Sequence, residues 1–279
     1  MQARSRFRGT DLRHSGVACF VVLLLAALPT GGALGCAGLA DGPTGVVTAV
    51  YDGNTLLLDS GIVVRLGGSR APLPAGRRAG STAEPEADAA KAALGALVLK
   101  QPVRLGLDDE ETDRYGHMEA QVFLDAPDGA WINQQMVAKG FARVVPLPKG
   151  RRCLDELIAA EATARANGLG IWADPYYSVR DAGDPAALAD REGRYELIEG
   201  EVVSTGESRG RLYLDFGRVW KDDVTATIDQ KARALFAATG LDPLSLKGER
   251  VRLRGWIENH DGPLIELALP EQLEVLERK

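Results

Sequence analysis

The segment of residues 45–72 constrains the fold of this chain more than any other stretch. Three short runs of β-branched and aliphatic residues follow one another there, at residues 46–50, 55–58 and 62–66. Asp52 and Gly53 separate the first two runs, and Asp59, Ser60 and Gly61 separate the last two. Residues of these types adopt the positive φ values that tight hairpins need. The pattern therefore predicts three short strands joined by tight turns.

Helices and further strands alternate in the next hundred residues. Apolar residues at helical spacing predict helices at residues 86–100, 132–139 and 151–166, and other runs predict strands at residues 103–107, 118–124 and 142–145. Residues 72–85, rich in Pro, Gly, Ala and Arg, predict an exposed loop. This order predicts the α+β class, with a five-stranded barrel of the oligonucleotide/oligosaccharide-binding (OB) type and helices packed on it.

The composition changes at residues 174–192, where Pro, Ala and Asp dominate and periodicity is weak, so we predict a linker there. Residues 193–279 again show short strands, one helix and more strands. The pattern indicates a second, small OB-like β-barrel domain, although no sequence repeat relates the two halves.

Three motifs in the first half occur in a fixed order. They are Asp52-Gly53-Asn54-Thr55 with the following Arg65 and Arg70-Ala71-Pro72-Leu73, then Asp113-Arg114-Tyr115-Gly116-His117, then the segment from Asn133 to Val144. In this order and spacing the chain resembles the staphylococcal nuclease-like (thermonuclease) family over residues 44–173. The resemblance implies an OB-type barrel and, for the family, calcium-dependent hydrolysis of nucleic-acid phosphodiester bonds.

The residues that this chemistry needs are mostly replaced. In the family, two Asp carboxylates hold Ca²⁺, a Glu acts on the attacking water and two Arg bind the phosphate; oxygen ligands and paired guanidinium groups suit these tasks. The matching positions here hold Asn54, Arg70, Leu73, Arg65 and His117. Asp52 is retained, but it matches an outer residue of the family's site. A gap in the alignment would instead bring in Glu84 or Glu86.

Six residues remain candidates for a catalytic, binding or metal site. The catalytic candidates are Arg65 and His117, and phosphate or nucleic acid would contact Arg65, Arg70 and Tyr115. Asp52 and Asn54 form what is left of the calcium site, so we expect no bound cofactor although the family uses Ca²⁺. A lone histidine such as His117 is more often a tolerated surface or core residue than a catalytic group. Trp131, Trp172, Trp220 and Trp256 are too scattered to predict a base-stacking platform.

The first 36 residues have the pattern of an export signal. Four arginines precede an apolar run at residues 17–28 that is shorter than the roughly 20 residues of a membrane-spanning helix. A signal peptide would place the mature protein in the periplasm, in the cell envelope or outside the cell. Cys36 follows a loose lipoprotein-type sequence, so lipidation at Cys36 and cleavage without lipid are both open. A disulfide between Cys36 and Cys153 and a buried Cys153 thiol are also both open.

The formal net charge is −6, and the leader removes more basic than acidic residues. This balance is unlike that of proteins that bind nucleic acid tightly and without specificity, which usually show a basic face. Two functions fit the sequence. One is a divergent, exported nuclease-family protein retained for binding or structure, with nucleic acid at the barrel mouth and a membrane only through a lipid on Cys36. The alternative is an active extracellular nuclease with a modified site.

Overall fold

Five strands close into a barrel in the first half of the chain. The computed structural model describes residues 36, 38–76, 82–108, 112, 115–127, 129–148, 151–219 and 223–276. The first seven strands are β1 (Ala40–Asp52), β2 (Thr55–Leu58), β3 (Val63–Leu66), β4 (Ser69–Arg70), β5 (Pro102–Leu107), β6 (Met118–Leu124) and β7 (Arg143–Val144). The barrel order is β1-β2-β3-β6-β5, and β4 pairs separately with β7. The predicted α+β class and five-stranded barrel are confirmed.

The hairpins at residues 46–66 form as the turn residues predict. Asp52 pairs with Thr55 across the first turn, and parallel pairing of β3 with β6 closes the barrel. Gly53 is required at the turn because a Cβ there would lie 2.7 Å from the Cβ atoms of Ala71 and Ala90. The first strand is longer than predicted because its beginning pairs with β5, from Ala40 opposite Leu107 onward.

Three helices pack on the barrel: α1 (Ala87–Val98), α2 (Ile132–Ala138) and α3 (Leu154–Ala166). Each buries one apolar face, and together with the inward side chains of the strands they form the first hydrophobic core. Gly140 ends α2 as predicted; its φ is +73°, and the backbone of Leu169 lies too close for any side chain. In the part of the chain that the structure describes, no helix is long and apolar enough to span a bilayer.

A second β region follows, with its own hydrophobic core. It contains β8 (Arg180–Asp181), α4 (Pro185–Ala189), β9 (Tyr195–Glu201), β10 (Ser204–Ser208), β11 (Arg211–Asp215), β12 (Thr225–Ile228), α5 (Gln230–Ala238), β13 (Arg250–Trp256), β14 (Glu258–Asn259), β15 (Pro263–Glu266) and β16 (Leu273–Val275). The strands form two hydrogen-bonded sheets, in the orders β10-β11-β12-β15-β14 and β16-β13-β9-β8.

Residues 174–192 are not the linker that we predicted. Within them, β8 pairs in parallel with β9 and so belongs to the four-stranded sheet. The side chains of Tyr177, Ala182 and Leu188 are almost fully buried. The composition concealed this because short elements that bury one residue each leave no detectable periodicity.

A buried ion pair joins the two regions. Glu161 on α3 is fully buried, and its Oε2 accepts a hydrogen bond of 2.9 Å from Arg254 on β13, which is 1% exposed. The other carboxylate oxygen accepts a 2.7 Å hydrogen bond from the Val144 amide. Because an unpaired buried charge is costly, this pair fixes the four-stranded sheet against the barrel's third helix.

Candidate functional site at the barrel mouth

The turn between β1 and β2 uses its polar groups to hold the ends of the strands. The Asp52 carboxylate accepts hydrogen bonds from the Asn54 amide at 2.7 Å and from the Thr55 hydroxyl at 3.2 Å. Asn54 is 3% exposed; its side-chain amide donates to the Leu66 carbonyl, and its Oδ1 accepts from the Ser69 hydroxyl at 3.2 Å. The structure therefore brings Asp52 and Asn54 together, but their oxygens already serve the turn and the end of β3.

Arg70 is held in a bidentate ion pair with Glu84. Its two terminal nitrogens donate to the two Glu84 carboxylate oxygens at 3.0 and 2.8 Å. The Leu73 amide donates a further hydrogen bond of 2.8 Å to Glu84 Oε2. Burial opposes ionisation of Glu84, but the hydrogen bond and charge of Arg70 outweigh it, so the pKa of this carboxyl lies below its ordinary value.

Glu84 thus lies beside the barrel mouth. From the sequence, this position could be expected only if the alignment with the family contained a gap. Its chemistry differs from that of a base, because a carboxylate with a low pKa and three hydrogen-bond donors is a poor proton acceptor. The signal that reveals it is Arg70 itself, because a largely buried guanidinium needs a carboxylate partner.

The residues present do not fit a calcium ion. Calcium takes six to eight oxygen ligands, typically with several carboxylates among them. Asn54 supplies a neutral oxygen that already accepts a hydrogen bond, and the guanidinium of Arg70 repels a cation. Within the described ranges, no group of three or more His, Cys, Asp or Glu side chains is arranged to hold a metal.

Arg65 lies on β3 between two neighbouring strands. Its backbone neighbours are Thr55 on β2 and Glu119 on β6, and the adjacent Val64 and Leu66 point into the core. Side chains alternate along a strand, so Arg65 lies on the outer face of the barrel. Glu119, a carboxylate that the sequence analysis did not select, is therefore its cross-strand neighbour.

Tyr115 and His117 lie just before β6. Their ring centroids are 6.0 Å apart, and Tyr115 is 68% exposed. The preceding Asp113 and Arg114 of the same motif lie outside the described residues. The structure thus places Arg65, Tyr115 and His117 on the β3–β6 side of the barrel, whereas Arg70 is turned toward Glu84.

Asn133 shapes the loop between Arg65 and Arg70. Its side-chain amide donates to the carbonyls of Gly67 and Ala120 at 3.0 and 3.1 Å, and its Oδ1 accepts from the Val122 amide at 2.9 Å. This buried residue belongs to the third motif, for which the sequence suggested no role. It connects the start of α2 to the loop that carries Arg70.

Cys36 and Cys153 form a disulfide, with Cα atoms 5.0 Å apart and both residues buried. Of the two states that the sequence left open for Cys153, the structure has the disulfide, and the free buried thiol was wrong. Lipidation at Cys36, which the sequence left open, would need the same sulfur atom that is bonded to Cys153 here. The remaining residues of the predicted leader, 1–35, lie outside the described part of the chain.

Comparison with known proteins agrees with this fold. The family described as staphylococcal nuclease homologue matches residues 63–174. Protein ParB of Escherichia coli is 30% identical over 93 residues, which cover 31% of this chain and 51% of that protein. The chain therefore spans about half the length of the curated relative that it matches.

Proposed function

We propose that this chain, whose residues 63–174 match the staphylococcal nuclease homologue family, is an exported nucleic-acid-binding protein that lacks the family's calcium-dependent hydrolysis. One observation supports the loss of activity above all others. Where the family would hold a second carboxylate, Arg70 forms an ion pair with Glu84. The position that the family gives to a metal-binding carboxylate thus holds a cationic side chain with its own anionic partner.

The expected loss of rate is large. A missing general base typically reduces the rate by about 10²- to 10⁴-fold. A missing group that stabilises developing charge reduces it by about 10²- to 10³-fold. Leu73 supplies no base, and Glu84 is engaged by three donors. These effects do not multiply simply, but each acts in the same direction.

Binding of nucleic acid is supported by the family and by the outer face of β3 and β6. Arg65 offers a guanidinium there, and the exposed Tyr115 offers an aromatic ring next to His117. Arginine binds phosphate through paired hydrogen bonds, and aromatic rings stack on bases. Because the whole chain is acidic, we expect modest affinity that falls steeply as salt increases.

Export is supported by the leader pattern and by the disulfide. Disulfides form and persist mainly in the periplasm and outside the cell. Because Cys36 is bonded to Cys153, we propose a freely exported protein in place of a lipid-anchored one.

The test is degradation of plasmid DNA and of RNA in the presence of Ca²⁺, Mg²⁺ or EDTA, with the Arg65→Ala variant as a comparison. We expect no metal-dependent cleavage by the wild type. Calcium titration followed by thermal unfolding should leave the midpoint unchanged, since a ligand that binds only the folded state would raise it. Calcium-dependent cleavage that Arg65→Ala abolishes would overturn the proposal.

A second candidate function is phosphodiester cleavage through a relocated site. The observation that favours it is the proximity of Arg65 to Glu119 on the strand that follows His117. Cleavage that persists in EDTA and disappears in both Arg65→Ala and His117→Ala would support this alternative. Cleavage that survives both substitutions would indicate a contaminating nuclease.

A further inference from the structure

Trp256 is an exposed aromatic residue at the junction of the barrel and the four-stranded sheet. It ends β13, opposite Tyr195 on β9, and the two rings meet edge to face with centroids 5.7 Å apart. The Arg70 guanidinium lies 5.4 Å from the Trp256 ring centroid. Although two residues pack against it, Trp256 is 47% exposed. The structure thus presents a large ring to solvent beside the barrel mouth.

Guanidinium groups outnumber carboxylates in the adjoining part of the junction. Glu196 lies within ion-pair distance of Arg143, Arg180 and Arg191, at 3.9, 3.7 and 2.6 Å. Three positive charges therefore face one negative charge, and the Arg70–Glu84 ion pair adds no net charge. The pKa of Arg143 is lowered by burial and by the charge of Arg70, as expected where cations are crowded. This local excess contrasts with the acidic character of the whole chain.

A cavity of about 400 Å³ opens next to these groups. Its lining includes Glu84 and Pro85 from the segment before α1, and Tyr176, Glu192 and Arg194 from the chain that follows α3. Tyr176 lies between two cations, with Arg191 and Arg194 at 4.3 and 5.2 Å from its ring centroid. The Arg194 side chain is exposed, and its carbonyl accepts a hydrogen bond from the Ile257 amide. The cavity wall is therefore next to Trp256 in the sheet.

We propose that this junction, defined by Trp256, Arg194 and the cavity beside Tyr176, binds an unpaired nucleotide of a single-stranded nucleic acid. A base stacks on the exposed part of Trp256, and the neighbouring phosphate is attracted by Arg194 and by the excess of guanidinium groups around Glu196. The proposal rests on the proposed nucleic-acid binding, and it adds a site built by the second β region.

The chemistry favours a nucleotide because the two parts of the site differ. An exposed ring alone would suit many apolar partners, and arginines alone would suit any anion. A ring and a cationic patch side by side match a base and its phosphate. Stacking requires a base that is free of its complement, so the site should distinguish a single strand from a duplex of the same sequence.

The experiment measures binding of a fluorescently labelled oligonucleotide of about ten nucleotides, single-stranded or duplex, by anisotropy at constant low salt. The variants are Trp256→Ala, Trp256→Phe and Arg194→Ala. Arg211→Ala, which removes an exposed arginine from β11, is the matched charge control. Thermal unfolding of each variant verifies that it is folded.

We expect Trp256→Ala to weaken single-strand binding by about 5- to 100-fold, the effect of losing one stacked base, while Trp256→Phe retains most of it. Arg194→Ala should also weaken binding and reduce its dependence on salt, and Arg211→Ala should change little. Duplex binding should respond less to Trp256→Ala, because paired bases offer no free face.

Two other results would overturn the junction site. They differ in whether the proposed nucleic-acid binding fails with it. If Trp256→Ala and Arg194→Ala bind as the wild type does while Arg65→Ala weakens binding, the junction site is wrong and the proposed function stands. If the folded wild type binds neither oligonucleotide, nucleic-acid binding and the junction site fall together. A surface that instead binds a protein partner would give this second result.

Discussion

At the scale of the residue, the charge of the barrel mouth is set by Arg70, which stands where the family pattern has a carboxylate. A carboxylate at this position would need a bound cation to neutralise it, whereas the Arg70 guanidinium is paired with Glu84 Oε1 at 2.8 Å. Glu84 reaches it from fourteen residues further along the chain and also accepts the Leu73 amide. The loop is thereby closed by an internal ion pair and needs no metal to hold its shape.

Glu84→Gln should lower the free energy of unfolding at pH 7 by about 2 kcal/mol, because hydrogen bonds to a charged group contribute about 1.5–3 kcal/mol and both partners are mostly buried. The pKa of Glu84 is depressed in the folded protein. Its contribution is therefore complete above the unfolded-state value of 4.5 and is lost as the pH falls through the folded value.

Denaturant unfolding of wild type and Glu84→Gln at pH 7 and in acid measures this difference. The two proteins should converge in acid. The exposed Glu192→Gln is the control, and it should match the wild type at both pH values. A gap between wild type and Glu84→Gln that stays constant into acid would show that the ion pair contributes nothing.

The sequence predicted one half of this site better than the other. Asp52, Asn54 and Arg65 could be placed because two short hairpins fix their relation locally. Glu84 and Trp256 could not. Their contacts with Arg70 depend on the path of a loop and on the packing of a sheet whose strands lie far away in sequence.

At the scale of the element, apolar periodicity predicts where a helix lies but not which distant residues pack against it. Helical spacing predicted α1, α2 and α3 to within a few residues at each end. It did not predict that α3 carries a buried carboxylate at Glu161, because helical spacing locates apolar faces and does not identify a charged residue whose partner is distant. Its partner Arg254 lies 93 residues further on.

Arg254→Met should lower the free energy of unfolding by about 3–5 kcal/mol, because it removes the arginine that forms the buried ion pair with the Glu161 carboxylate. Arg250→Met is the matched control on the same strand. Arg250 is largely exposed where it meets Glu199, so its loss should change stability by less than about 1 kcal/mol. Chemical denaturation measures both, and equal effects would contradict the role of the buried pair.

The pair also predicts that the second β region cannot be removed without consequence. Truncation before residue 174 would leave Glu161 on α3 without Arg254, and it would uncover Arg143 by removing the rings of Tyr177 and Tyr195 that lie against it. The barrel's own core would remain. We expect the truncated chain to be less stable than Arg254→Met alone, as measured by its unfolding midpoint.

At the scale of the whole molecule, the Cys36–Cys153 disulfide joins the start of the described chain to the beginning of α3, across 117 residues. A crosslink over a loop of this length restricts the unfolded chain strongly, and native disulfides typically contribute about 2–4 kcal/mol. We therefore expect Cys153→Ser to lower the unfolding midpoint, and a reducing agent to lower the midpoint of the wild type to a similar value.

The disulfide and a lipid compete for one sulfur atom, so the fate of Cys36 can be decided in a single set of measurements. If both cysteines serve the same bond, then Cys36→Ser, Cys153→Ser and the double variant should have equal stability, because the second substitution removes nothing further. Mass spectrometry of the exported wild type should show no acyl or glyceryl addition and no free thiol at Cys36. Additive losses in the double variant would show that the two cysteines act separately. A lipid mass on Cys36 would show that the exported protein is anchored to a membrane and does not contain the disulfide.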